Sequence, residues 1–331
     1  MSEFFQTNRE VVYFIYGQAF FVLGLAIAFR SRKHSELALG AHLWLLAVFG
    51  LVHGVYEWGI IFIPIQQRYL PDDAVNALRV VQLALETISF FALYQFGAEL
   101  VAVGARRAWF WRALPGALLA LWAGAFLVVL AGATNTFREI WTTGDAFSRY
   151  LLGVPGAAMA AFGLWLQARY VQHFDVPHIA TYLRGAAFAF AAYAGASIIV
   201  PRNDFFPATI LNYDTFFQTA GFPVAMIRAL CGILIAYLIF RAMDIFDVET
   251  DRQLKDAARA RDCRRPRTHR ARITRRHHSI ALCRRAESRR CRVDDWRGRW
   301  TGARKNRRSD SIAQSHDSRH SQLHSRFAPR R

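Results

Sequence analysis

With 331 residues, 53% of them hydrophobic and 14% aromatic, the chain is too apolar for an ordinary soluble protein and is expected to sit in a membrane. Its formal charge of +18 is unevenly placed: residues 261–331 hold 23 Lys and Arg against 6 Asp and Glu, so nearly the whole excess falls there and the preceding part is close to neutral. MSEFFQTNRE lacks a basic n-region and the first apolar run is too long for a signal-peptide h-region, so no cleavable signal is expected. Of the four cysteines only Cys231 lies in the apolar part, which gives no disulfide framework.

A spanning helix needs about 20 mainly apolar residues, because the hydrocarbon core is roughly 30 Å thick and each residue advances about 1.5 Å. Seven segments qualify: Val11–Phe29, Leu37–Ile63, Val75–Val103, Leu114–Ala133, Tyr150–Val171, Ala180–Val200 and Phe222–Phe240. The second and third are long enough to tilt or to reach past the bilayer. No segment alternates as a half-buried strand would, so the expected fold is an all-α membrane protein of about seven transmembrane helices. Residues 1–240 form its membrane domain, followed by a short cytoplasmic connecting helix over 241–260 and a disordered basic tail over 261–331.

Pro115, Pro201 and Pro223 fall at span boundaries, where a missing N–H costs least. Pro155 falls inside the fifth span with Gly153 and Gly156 beside it, which predicts a bend. The same span carries Gly156, Ala157, Ala160, Ala161 and Gly163, a surface small enough for close helix contact. The segment 201–221 sets Phe205, Phe206, Phe216 and Phe217 among polar residues. An amphipathic interfacial piece, a loop on the headgroups and a lid over a ligand are all compatible with it.

Orientation follows from the short loops that carry Lys and Arg. One set holds Arg30, Arg32, Lys33, Arg106, Arg107, Arg112, Arg169, Arg184 and Arg241; the other mixes Arg68, Arg138, Arg149 and Arg202 with Asp72, Asp73, Glu139, Asp145, Asp204 and Asp214. The first set is therefore expected on the cytoplasmic side, with the N-terminus outside and the C-terminus inside.

Ionisable groups at membrane depth are expensive and mark functional sites. In the second span His42, His53 and Glu57 share one helix face; in the third, Arg79, Gln82 and Glu86 do, with Gln95 and Glu99 further along. The two stripes are expected to face each other, with His53 and Glu57 toward the outer side and His42 and Glu99 toward the inner. The candidate ligand-binding or sensing residues are thus His42, His53, Glu57, Arg79, Gln82 and Glu86. A set of mutually satisfied polar groups that fixes helix register is the structural alternative. His42 and His53 lie about 16 Å apart along one helix, too far to share one ion, so no metal site is expected.

The tail is informative in the next reading frame. Joining the last two bases of each codon to the first base of the following one permits ARERIGRELHDGIIQSL from Arg265 onward, with His arising where Thr274 meets Arg275. CAVGLNLE is permitted after that, and a string close to DIRNYI-DLRP across Asp317 to Pro329. This resembles the dimerisation and phosphoacceptor helices of bacterial sensor histidine kinases of the nitrate/nitrite sensor subfamily. In frame, NREVVYFIYGQAFFVLGLAIAFRSR and LWLLAVFGLVHGVYEWG resemble the multi-span input region of such kinases, with HGVYEW the firmest part. The chain departs from the family in having no phosphoacceptor histidine in this frame and no ATP-binding domain.

The resemblance implies the sensory input module of a two-component kinase in the bacterial inner membrane, with its catalytic core out of frame and the chain as translated inactive. It needs no cofactor itself; ATP and Mg belong to the intact parent, as does a response regulator as partner. Membrane lipid and a homodimeric second copy are the expected partners, and nucleic acid is not. Two other functions fit the residues: a small-molecule or ion transporter or channel, because spans with buried charges suit one, and a membrane protein whose basic tail binds nucleic acid or anionic lipid. Against the transporter, no internal repeat or matching pair of Gly/Pro-broken spans is seen. Against the tail-binding protein, Cys263, Cys283 and Cys291 lack CxxC spacing.

Overall fold

A computed structural model describes residue 4 and residues 7–30, 38–132, 136–171 and 177–243, all within one compact unit, Met1–Gln253. Beyond residue 243 the expected connecting helix and the basic tail 261–331 lie outside the described residues. The described chain is helical: α1 Arg9–Arg30, α2 Ala38–Gln66, α3 Asp72–Ala102, α4 Ala108–Ala131, α5 Phe137–Ser148, a π-helical turn Arg149–Gly153, α6 Val154–Val171, α7 Pro177–Ser197, α8 Tyr213–Ala220 and α9 Val224–Ala242. Among these residues there is no strand, only an isolated bridge between Val200 and Asn212.

Among the described residues six helices are long and apolar enough to cross a membrane: α1, α2 from Leu39, α3, α4, the continuous rod α5–α6 over Phe137–Val171, and α9. At 21 residues α7 has the length, but its Ala- and Gly-rich sequence with His178, Thr181 and Arg184 is less apolar. The outward surfaces are apolar, with Val128, Phe188 and Leu230 between 64% and 74% exposed. His53, Glu57, Glu86 and Arg149 are buried instead. Apolar outside and ionisable inside is the arrangement of a multi-pass membrane protein.

Neighbouring helices pack as a closed ring in the order α1, α2, α3, α6, α7, α9 and back to α1, with α4 lying outside it against α3. Small residues make two of the seams. A Cβ placed on Gly24 would meet Leu51 N at 2.5 Å, and one on Gly50 would meet Phe20 O at 2.6 Å, so α1 and α2 touch backbone to backbone. On the other side of α2–α3, Gly97 abuts the Ala160 backbone, and Gly156 and Gly163 of α6 abut Tyr94 and Leu100 of α3. The small surface anticipated on the fifth span is therefore the α3–α6 seam.

Two expectations change. The fifth span begins near Phe137, not Tyr150: Thr136 and Glu139 form a capping box that starts a helix where a loop was expected, and that helix carries Asp145 and Arg149 inward. Just before Pro155 the chain forms a π turn, in which Val154 N–H bonds to Arg149 O five residues back. The adjacent Pro155, having no N–H, leaves the regular ladder interrupted there. Pro115 lies within α4, because that helix starts as early as Ala108, while Pro223 does sit at a boundary as the N-cap of α9.

The 201–221 segment contains the short helix α8. Asn212 caps its start by accepting from Thr215 N at 3.0 Å, and Gly221 closes its end in the left-handed region at φ 78. Phe205 packs on Phe147 and Tyr150, and Thr143 Oγ1 bonds Asn203 Oδ1 at 3.2 Å, which ties the segment to α5 and the π turn.

Gly97→Leu should weaken the fold by about 1–3 kcal/mol or more, because overpacking at a backbone contact cannot relax by rotamer change. Gly116→Leu on α4, where a Cβ meets nothing within 4 Å, should be neutral. Unfolding of the two purified variants in detergent checks the contrast.

Candidate functional site

A buried polar cluster is built from residues of α1, α2, α3 and α7 of the ring together with α5 and the π turn. Its first part centres on His53 of α2. His53 Nδ1 lies 3.1 Å from Ser89 Oγ, while Nε2 lies 3.1 Å from Tyr16 Oη and 3.0 Å from Tyr193 Oη; the two phenols are 3.0 Å apart. Ser89 donates its own hydroxyl to Glu86 O at 2.7 Å. Its oxygen is therefore left to accept from the imidazole, which puts the ring proton on Nδ1 and makes Nε2 the acceptor for a phenol. Glu57, one turn further along α2, has Oε1 3.5 Å from that same Nε2, and neither buried carboxyl oxygen receives a hydrogen bond among the described residues. Aromatic rings of Phe20, Phe49 and Phe90 enclose the imidazole at centroid distances of 5.1–5.2 Å.

The second part centres on Arg149, on the π turn. Its Nε donates to Asp145 Oδ2 at 3.2 Å, and its Nη2 donates to Tyr56 Oη at 2.7 Å and pairs with Glu86 Oε1 at 2.9 Å. Tyr56 in turn donates to Asp145 Oδ1 at 2.9 Å. The guanidinium also lies over the Phe90 and Tyr56 rings. One cation thus serves the carboxyl groups of Asp145 and Glu86, and a third carboxyl, Glu57, stands beside the neutral imidazole. Ser89 and Glu86, both on α3, link the two parts.

The expected stripes therefore do face each other at His53, Glu57 and Glu86, but they meet through Ser89, Tyr56 and Arg149. His42 is elsewhere: its Nε2 lies 3.8 Å from Glu99 Oε2, in a network with Arg112 and Gln95 at the other end of α3. Gln82 is buried and donates to Tyr56 O at 3.3 Å, at the edge of the cluster. Arg79 stays outside the cluster and lies over the Trp141 ring at 5.2 Å. Among the described residues no three His, Cys, Asp or Glu side chains converge as metal ligands would.

Sequence reasoning missed Tyr16, Tyr56, Tyr193, Ser89, Asp145 and Arg149. The tyrosines and serine read as ordinary residues of apolar helices. Asp145 and Arg149 did carry a signal, an acid–base pair four residues apart next to an apolar run. Arg228, also unanticipated, is buried on α9 and donates to Ala196 O and Ile199 O, so it covers the end of α7.

No protein-family model, no curated protein and no solved structure matches this chain.

Nitrogen NMR of histidine-labelled protein should show His53 as the Nδ1–H tautomer. Ser89→Ala, which removes the acceptor at Nδ1, should shift the ring toward the Nε2–H form. A ring that is already Nε2–H in the parent contradicts the network.

Proposed function

We propose that the chain is the membrane input module of a two-component sensor histidine kinase. The observation that carries the reading is the sealed polar cluster around His53, Glu57, Glu86 and Arg149, held inside a ring of helices whose last member, α9, leads toward the C-terminal part. Ionisable groups of this kind are costly in hydrocarbon and are retained where they do something. The cluster has more carboxyl groups than cations and sits on a π turn, a feature frequent at functional sites. Such a set supports two arrangements close in energy, in which Arg149 is shared differently between Asp145 and Glu86 and the α3–α5 contact shifts with it. A shift passed round the ring reaches α9 through α7 and α1, and a change in its position is the usual currency of helical signalling.

In this reading α7 is the seventh span, lying between α6 and α9. The protein crosses the bacterial inner membrane with its N-terminus outside, lipid covering α4 and the outer faces. The intact parent is a homodimer whose ATP- and Mg-dependent core phosphorylates a histidine encoded where Thr274 meets Arg275 in the shifted frame, and then passes the group to a response regulator.

Sequencing the coding DNA around codons 257–275 and restoring the frame provides the test. The chain as translated should not autophosphorylate; the repaired protein should, and His53→Ala or Glu57→Gln should change its signal-dependent phosphorylation by about fivefold or more while membrane insertion persists. A stop codon directly after the repair, or downstream DNA without a nucleotide-binding domain, would sink the kinase reading.

A further inference from the structure

At the end of the ring where α1 starts and α2 turns into α3, a cavity of about 680 Å³ opens between α1, α2, α3 and α5. Its size is that of a small-molecule site. Three arginines from three elements line it, Arg9, Arg79 and Arg138, together with the amide side chains of Gln67, Asn76 and Gln82, and among the described residues no Asp or Glu lines it. None of the three arginines forms an ion pair among the described residues; Arg9 and Arg79 only lie over the rings of Tyr13 and Trp141. Glu10 follows Arg9 and Glu139 follows Arg138, and neither lines the cavity; the Glu139 carboxylate accepts from Thr136 N at 2.8 Å in the capping box of α5.

We infer that this cavity binds a small, multiply charged anion through its carboxylate or phosphate oxygens. Guanidinium forks match the geometry of such groups and bind them bidentately, and three of them around one space with no carboxylate in its described lining leave a positive field that an anion fills. The Gln67 and Asn76 amides supply neutral donors that orient a bound oxygen, and Trp141 forms an apolar wall.

The position of the cavity also says what binding would move. Arg79, Gln82 and Glu86 follow one another on one face of α3, and Trp141, Asp145 and Arg149 do so along α5 and its π turn. The two helices therefore meet twice, at Arg79–Trp141 in the cavity and at Glu86–Arg149 in the cluster. Gln82 stands between, only 3% exposed and bonded to the Tyr56 backbone. An anion that draws Arg79 off Trp141 changes the α3–α5 contact directly above the cluster. This second step rests on the sensory reading; binding itself does not.

The test uses the purified full chain in nanodiscs of phosphatidylcholine, titrated calorimetrically with citrate and with inorganic phosphate at fixed ionic strength in chloride. Saturable binding is expected, weakened about 10- to 100-fold by Arg79→Gln and by Arg138→Gln, the range for losing a hydrogen-bonded charge. Arg138 is exposed, so its substitution leaves the fold intact and isolates the binding effect. Adding phosphatidylglycerol to the discs separates the sources: competition with citrate identifies a lipid phosphate as the occupant, and no competition identifies a soluble anion. No saturable heat with either anion, or binding by the combined Arg79→Gln and Arg138→Gln variant equal to the parent's, would overturn the site. Anion binding that leaves phosphorylation of the frame-restored protein unchanged would uphold the site and overturn the sensory reading instead.

Discussion

The constraint on which the rest of this structure depends is that hydrocarbon offers no partner to a polar group, so the interior must supply every one. Arg149 shows how. A guanidinium buried at that depth is tolerable only with its charge and donors met, and Asp145, Glu86 and the Tyr56 hydroxyl meet most of them. Those partners sit on α2, α3 and α5, so one side chain fixes how three elements approach. The π turn that bears Arg149 places it one helical turn after Asp145 and within reach of α3.

Attraction between polar groups does not by itself assemble a membrane bundle, because the apolar faces gain little by leaving lipid. The backbone contacts at Gly24–Leu51, Gly50–Phe20 and Gly97–Ala160 provide the close packing that dispersion forces need. They also explain why α4 is different: its glycines Gly116 and Gly124 meet nothing, and it lies against the ring without joining it. The result is a pair of closely packed seams flanking a polar interface in which one guanidinium meets two carboxyl groups.

Much of this was legible in the sequence, and the failures have physical causes. Apolar runs long enough for hydrocarbon marked the spans, and helical spacing put His53 and Glu57 on one face opposite Glu86. The small surface on the fifth span was visible because Gly and Ala at 156, 157, 160, 161 and 163 need no tertiary knowledge to read. Arg149 was misplaced because hydropathy marks where a chain stops being apolar, not where a helix starts; the capping box at Thr136–Glu139 carried the true start. Tyr16 and Tyr193 lie 177 positions apart, and only the closure of the ring brings their hydroxyls to one nitrogen. Arg79 shares its face with Glu86 but lies two turns away, which takes it out of the cluster and into the cavity.

The most direct measurement is the unfolding free energy, by denaturing-detergent titration, of Arg149→Met and of Arg149→Met combined with Glu86→Gln and Asp145→Asn. The single variant strands two buried carboxyl groups and should lose about 3–5 kcal/mol, and the triple variant, with no charge left unpaired, should regain most of it. A single variant as stable as the parent, or a triple variant no better than the single, would contradict the claim that Arg149 holds the three elements together.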